Sequence, residues 1–364
     1  MYEKELEAIQ KAGLFRERVL YSTNLKDFAS NDYLGLASQK KRLKKALKLL
    51  EYDEVIAPKS SMLVNGYHPI HRIFELEVTQ ANEFEEGIVV GSGFLANMAL
   101  IETLVRKNDK LFIDEAYHAS GVMASRLLGE RVIKFRHNDP EDLRQKLQTY
   151  QAKRQIVAVE GVYSMSGDLC CEDIFKVADE SGALLIVDEA HSAGVLGSSL
   201  LGIFDYYDIT PHERHIKMGT LGKSYGSYGA YILASKEIIS FLENRAKPII
   251  YSTAPSVIDT ALALSNFRHI AKRSDKYSIA IWERQDLIEE RLGVEQKSLI
   301  LPIPMQSNEH ALSMQKELIS KGYLVGAIRK PTVNKPILRV ILSLGYTIEE
   351  TDSLLSLISH NKVE

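Results

Sequence analysis

Through the middle of this chain, short apolar runs alternate with amphipathic stretches, and that alternation limits the fold more than any other feature. Gly87-Ile-Val-Val-Gly-Ser-Gly93 reads as a strand entering a turn, with a helix over Phe94–Val105 behind it. Further strands are expected at 110–115, 132–137, 155–160 and 183–189, separated by helical patterns near 140–151 and 172–181. Apolar strands separated by helices build a mostly parallel sheet covered on both faces, because each crossover lays a helix against the sheet. His215-Ile-Lys-Met-Gly-Thr-Leu221 and Gly229-Ala-Tyr-Ile-Leu-Ala234 close this region, and the link between them is too short for a helical crossover.

The texture changes after about residue 260. One long helix is expected over Ile258–Leu292, then a strand at 299–304, a helix over His310–Lys321, strands at 323–328 and 337–342, and a last helix over Ile348–Ser359. The expected architecture is α/β: an N-terminal segment (1–40), a large domain (41–265) and a smaller α+β C-terminal domain (266–364). With 364 residues there is length for two domains. The formal net charge of -3 gives no footprint for nucleic acid or an anionic membrane. Cys170 and Cys171 are adjacent and make no disulfide framework, and no apolar run approaches a membrane span. The N-terminus lacks the apolar stretch of a secretory signal, so a cytoplasmic protein is expected.

Four groups fall at the ends of expected parallel strands, the edge where open α/β sheets bind ligands. The first, Gly91-Ser-Gly-Phe94, is a glycine-rich turn feeding a helix, which offers free N–H groups to an anion. It also fits the dinucleotide pattern through Gly91, Gly93 and Ala96, with Asp114 at the ribose-binding offset. A phosphate site, a nicotinamide dehydrogenase and a plain tight turn stay open on this motif. Asp188-Glu-Ala-His191 looks like a helicase box, but a P-loop would require Gly at 217, where Lys217 stands, and would precede the acidic strand. Asp188 ends an apolar strand, so its carboxylate needs a cation. The protonated ring nitrogen of pyridoxal phosphate and a core arginine or lysine serve equally. Lys223 sits among Thr220, Gly222, Ser224 and Gly226, small neighbours that admit a bulky cofactor. An exposed loop lysine is the commoner fate. His118 and His191 lack other His or Cys at metal-ligand spacing, so no metal site is expected, and His212 and His215 read as solvated in a polar loop with a proline. Arg339 is a lone charge in Ile337-Leu-Arg-Val-Ile-Leu342, suited to a carboxylate or to a structural ion pair.

Taken together, Ser30-Asn-Asp-Tyr-Leu-Gly35, Gly91-Ser-Gly-Phe-Leu-Ala-Asn97, Asp114-Glu-Ala-Tyr-His-Ala-Ser120, Glu160-Gly-Val-Tyr-Ser-Met165, Asp188-Glu-Ala-His191, Gly219-Thr-Leu-Gly-Lys223, Ile250-Tyr-Ser-Thr253 and Gly326-Ala-Ile-Arg-Lys-Pro-Thr-Val333 run in the order of the α-oxoamine synthase family. The resemblance spans the chain from about residue 14 to the end. It implies the fold-type I architecture of pyridoxal-5′-phosphate enzymes and a homodimer with the site at the interface. The last two strings resemble the branch of the family that works in biotin biosynthesis. Two departures stand out. The family's glycine-rich run falls on Ala57-Pro-Lys-Ser-Ser61, and position 189 is Glu where that branch more often has Asp.

The resemblance also implies roles. Lys223 carries the cofactor as a Schiff base. Asp188 pairs with the pyridinium, His191 and Ser164 contact the 3′ oxygen, and His118 stacks on the ring. Gly93, Phe94 and Thr220 bind the phosphate, with Ser252 or Thr253 supplied by the partner subunit. Arg339 anchors an amino-acid carboxylate, and Arg16, Asn31 and Thr332 are further substrate candidates. The implied reaction is decarboxylative condensation of L-alanine with a pimeloyl thioester, on CoA or a carrier protein. The alternatives are glycine with acetyl-CoA, as in the 2-amino-3-ketobutyrate CoA ligase branch, and a non-catalytic partner subunit of the same fold.

Overall fold

Twelve strands and the helices between them make up the computed structural model, which describes residues 1–330 and 332–360. Pro331 of the Arg-Lys-Pro-Thr-Val string and the tail at 361–364 lie outside the described residues. In chain order the strands are β1 (Lys26–Asp27), β2 (Glu86–Val90), β3 (Lys110–Asp114), β4 (Val132–Phe135), β5 (Gln155–Glu160), β6 (Leu184–Asp188), β7 (His215–Thr220), β8 (Ala230–Ala234), β9 (Ile300–Pro304), β10 (Tyr323–Leu324), β11 (Gly326–Ile328) and β12 (Ile337–Ile341).

The main sheet has seven strands in the order β2-β8-β7-β6-β5-β3-β4. Only β8 runs against the others, pairing antiparallel with both β7 and β2. Side chains alternate across a strand, so each run feeds two cores. Ile88, Ile113, Ile186, Ile216 and Ile232 face one core, where the helices Gly93–Leu104 and Lys236–Arg245 pack. Val89, Phe112, Val157, Val187 and Leu233 face the other, covered by the helices Pro69–Ala81, Glu172–Ser181 and Val257–Ala271. Both faces are dry, which is why the strands read as continuous apolar runs.

The C-terminal part forms a second, antiparallel sheet, β11-β12-β9, flanked by the helices Ser274–Leu292, Asn308–Ser320 and Ile348–His360. The expected strand at 323–328 is two strands. β10 pairs parallel with β1 and β11 pairs antiparallel with β12, the partner changing at Val325. The expected helix over 258–292 is also two helices, Val257–Ala271 and Ser274–Leu292, interrupted at Lys272–Arg273, where Arg273 leaves helical geometry (φ −132°). Neither a glycine nor a proline marks that break. No described helix is long and apolar enough to cross a membrane.

Candidate active site

The carboxyl ends of the parallel strands meet at one edge of the main sheet, where a cavity of about 280 Å³ opens. β2 delivers Gly93 and Phe94 through the turn that starts the helix Gly93–Leu104. β6 ends on Asp188, β5 on Glu160 and β7 on Thr220. The lining brings together ten of the expected residues: Asn31, Gly93, Phe94, His118, Ser164, Asp188, His191, Thr220, Lys223 and Arg339. The first N–H groups of a helix have no partner within it. Ser92 caps that of Leu95 (3.2 Å), and Gly93 and Phe94 stand at the cavity wall ahead of it.

Asp188 is almost fully buried. Its Oδ2 accepts from the Asn97 amide (2.8 Å) and its Oδ1 from the Ala190 N–H (3.0 Å). Among the described residues no arginine or lysine forms an ion pair with it, so the core salt bridge does not form. Asn97 is fully committed. It also donates to Ser120 Oγ (2.9 Å) and accepts from the Tyr117 hydroxyl (2.8 Å). Ser120 therefore turns its own proton to His118 Nδ1 (2.7 Å), which also accepts the Ser120 N–H (3.3 Å). With Nδ1 an acceptor twice over, the His118 ring proton lies on Nε2. Burial holds its pKa below the usual value, against the pull of Asp188, which favours this neutral ring.

Lys223 follows β7 in a turn and reaches His191 Nε2 (2.6 Å), whose Nδ1 meets the Tyr33 hydroxyl (2.6 Å). Burial lowers the lysine to a pKa of about 8, against the raising effect of Asp188. Burial, followed by the charge of Lys223, pushes His191 far down, so the ring is neutral. If Tyr33 donates to Nδ1, the ring proton is on Nε2 and Lys223 must accept it as a free amine. If Nδ1 carries the proton, Nε2 accepts from Lys223. Tyr33–His191–Lys223 is thus a continuous hydrogen-bonded chain.

Arg339, in the middle of β12, is 5% exposed. Its Nε donates to the Ser164 carbonyl (2.6 Å) and its Nη1 to Asn31 Oδ1 (2.9 Å). The buried Nη2 has no partner among the described residues. A buried guanidinium nitrogen without an acceptor is costly, and a ligand carboxylate would supply one. Beside it Glu160 accepts the Ser164 N–H at Oε2 (3.1 Å), while Oε1 is buried and unpartnered. Burial, with Asp188 nearby, drives the Glu160 pKa far up, so a neutral acid stands in the cavity wall. Neither Glu160, Asn97 nor Tyr33 carries an expected role from sequence. Each lies inside a quoted motif, which is the one signal that could have found it.

Four expected residues lie outside this cavity. Arg16 Nη2 donates to Thr332 Oγ1 (3.3 Å) in an exposed contact. Ser252 and Thr253 lie in the segment after the short helix Lys247–Ile250. That segment touches the 57–61 stretch, where Ala254 N–H donates to Ser60 O (2.9 Å). Lys59 there has φ +61°, a conformation glycine takes without strain. Glu189 is absent from the lining. It caps the turn at Ile203 (2.8 Å) and lies 3.5 Å from the buried Lys217, so it is a structural group. The solvated reading of His215 is wrong: it begins β7 and is 1% exposed. It and His212 both hydrogen-bond one oxygen of Asp179 (3.1 and 2.9 Å), with the rings stacked at 3.7 Å. His212 Nδ1 accepts the Arg214 N–H (3.2 Å), so its Nε2 carries the proton given to Asp179 and is not a free metal ligand.

A family model described as aminotransferase class I and II matches residues 23–358. The chain is 43% identical to an 8-amino-7-oxononanoate synthase of Helicobacter pylori strain J99, covering 100% of this chain and 98% of that protein. It is 34% identical to a putative 8-amino-7-oxononanoate synthase of Aquifex aeolicus, covering 97% and 96%. Among solved structures, an 8-amino-7-oxononanoate synthase from Francisella tularensis matches with a TM-score of 0.78 and 26% identity, covering 94% of this chain and 99% of that one. A serine palmitoyltransferase from S. paucimobilis, solved with a bound PLP–myriocin aldimine, matches with a TM-score of 0.88 at 21% identity, over 99% and 97%, a likeness of fold.

Proposed function

The chain belongs to the aminotransferase class I and II family, and from that premise we propose that it is a pyridoxal-5′-phosphate acyltransferase that condenses L-alanine with a pimeloyl thioester. The carrier is CoA or an acyl-carrier protein, and the product is the α-oxoamine 8-amino-7-oxononanoate of biotin biosynthesis. One observation carries the reading of the site. The cavity sets a lysine with a lowered pKa and an arginine with a buried, unpartnered N–H on the same small space. That is what an amino-acid substrate and an aldehyde cofactor require together. The full-length likeness to an 8-amino-7-oxononanoate synthase, and to a second protein named a putative one, supports the choice of acyl donor and amino acid.

The residues present fit the cofactor. Lys223 would supply the amine for its aldehyde, and Asp188 an acceptor for its ring nitrogen. Gly93, Phe94 and Thr220 would hold its phosphate. His118 would meet its ring, and His191 and Ser164 its 3′ oxygen. In a homodimer Ser252 or Thr253 of the partner subunit would complete the phosphate site. Bound there, pyridoxal phosphate supplies an electron-withdrawing ring for the carbon next to the amine. The protein does the rest. Arg339 grips the alanine carboxylate through Nη2, its other nitrogens being fixed already. That fixes which Cα bond faces Lys223. The Lys223 amine takes the Cα proton, and the chain through His191 and Tyr33 takes up or returns protons as it does so. His118 Nε2–H and the neutral Glu160 offer donors for the acyl oxygen and for reprotonation after CO₂ leaves. Asn31, beside Arg339, contacts substrate, and Arg16 and Thr332 stand further out on its approach.

Two expected outcomes arise here. Asp188→Asn keeps the shape but replaces a charge-assisted hydrogen bond, worth about 1.5–3 kcal/mol. Pyridoxal phosphate affinity should fall roughly 10- to 150-fold by equilibrium dialysis, the amide oxygen keeping one of the two bonds that Asp188 accepts from Asn97 and the Ala190 N–H. An unchanged affinity would remove Asp188 from the ring nitrogen. The second concerns pH. Only the unprotonated Lys223 captures the aldehyde, so uptake by the cofactor-free protein should accelerate as pH rises through about 8. A midpoint near the ordinary lysine value of about 10.4 would mean that the amine is not desolvated.

The whole reading is tested by rate comparison of alanine with pimeloyl-CoA or pimeloyl-carrier protein against glycine with acetyl-CoA. A preference for the pimeloyl pair is expected. Faster reaction of glycine with acetyl-CoA would move the chain to another branch. No turnover with any pair would leave the partner-subunit alternative.

A further inference from the structure

His137 follows β4 and takes no part in the chemistry above. Its Nδ1 bonds Asp114 Oδ1 (3.0 Å) and its Nε2 bonds Asp168 Oδ2 (3.0 Å). The ring stands edge-on to Tyr163 (centroids 4.4 Å), whose hydroxyl donates to the second Asp114 oxygen (2.8 Å). Asn138, the next residue, bonds both carboxylates and the Leu169 carbonyl (2.7 Å). Two of these partners, Tyr163 and Asp168, are the ends of one turn, closed by Tyr163 N–H to Asp168 O (2.9 Å) and Gly167 N–H to Tyr163 O (2.8 Å). The Ser164 carbonyl in this turn is the acceptor that orients Arg339. We propose that His137 is a positioning residue for the amino-acid carboxylate: clamped between Asp114 and Asp168, it sets the turn whose Ser164 carbonyl aims the Arg339 guanidinium.

The inference rests on Arg339 being the carboxylate anchor. Hydrogen bonds donated to Asp114 and then to Asp168 raise the His137 pKa to about 10, so a cation separates two carboxylates that would otherwise repel. The facing groups on the neighbouring elements are these two acids, Tyr163, and Glu115, which accepts the His137 N–H (3.2 Å). The two ring nitrogens point apart, so no amide side chain spans both acids in the same way. The far end of the turn has its own anchor. Gly167 O accepts from Ser298 Oγ (2.7 Å) and Gln296 Nε2 (3.0 Å) ahead of β9. Losing His137 therefore loosens Asp168 and the path of the turn, while Gly167, the Tyr163 hydroxyl on Asp114 and the Ser164 N–H on Glu160 keep the turn attached.

The experiment compares His137→Asn, Asp168→Asn and Arg339→Lys, each loaded with pyridoxal phosphate. Alanine affinity is read by the change in cofactor absorption, and pimeloyl-CoA KM and thermal midpoint are measured alongside. Asp168→Asn keeps the His137–Asp114 bond but loosens the link to the turn. Both clamp variants should weaken alanine binding about tenfold, the scale of a misoriented contact, with pimeloyl-CoA KM unchanged. A fall in thermal midpoint with unchanged alanine affinity would reduce His137 to a structural ion and overturn the inference. Equal losses for alanine and thioester would overturn it too. If Arg339→Lys weakens alanine and the clamp variants do not, the inference alone fails. If Arg339→Lys leaves alanine unaffected, the anchor reading and the inference fall together.

Discussion

Lys223→Ala should abolish turnover, a fall of at least about 10⁴-fold, because one substitution removes both the covalent attachment and the Cα base. The fold should survive. Lys223 is half-buried in a turn, and among the described residues its amine hydrogen-bonds His191 alone. Without the amine, His191 keeps its bond to Tyr33 and gains space. Borohydride should no longer fix pyridoxal phosphate to the protein, although Asp188 and the phosphate-binding turn still hold it noncovalently. Thermal unfolding checks the fold, and mass measurement after reduction checks the link. Stoichiometric fixation in the variant would place the attachment on another lysine. Lys217 is the nearest rival along the chain, but its Nζ is spent on Asn82 (2.8 Å) and the Leu201 carbonyl on the far side of Glu189.

Arg339→Ala should raise the alanine requirement roughly 30- to several-thousand-fold, the range of about 2–5 kcal/mol for losing a desolvated charge pair. Lysine should recover only part of it, since an ammonium cannot hold Ser164, Asn31 and a carboxylate at once. The attachment of pyridoxal phosphate to Lys223 should be normal, and the thioester KM should change little. Alanine titration of the loaded variant measures the effect. An unchanged affinity would make Arg339 a structural charge of β12, and a defect confined to the thioester would move it to the acyl pocket.

The contrast between these two residues shows where sequence reading carries. Lys223 and Asp188 stand at the ends of strands whose apolar runs are plain in the chain, and edge position marks them as candidates that the family resemblance then decides. Arg339 has no such mark. Its partners Ser164 and Asn31 lie 175 and 308 positions away, so only the folded sheet, or a family likeness, reveals an aimed guanidinium. Asn97, Tyr33 and Glu160 are obscured in the same way, because their roles depend on contacts between distant segments. The misreadings also have physical causes. His215 follows a polar loop with Pro211, but strand pairing with β6 draws it into the core. The break at Lys272–Arg273 leaves the helical pattern of its flanks unaltered. The run at 323–328 changes partners without changing its apolar character.

We propose that this cavity joins an amino acid to an acyl thioester with loss of CO₂, rather than exchanging amino groups between substrates. Carboxyl-labelled alanine and pimeloyl-CoA, incubated with the protein loaded with pyridoxal phosphate, test it in one reaction mixture. Labelled CO₂ and free thiol are expected one for one, with no pyruvate. Thiol without CO₂, CO₂ without thiol, or pyruvate in proportion to alanine consumed would each contradict it.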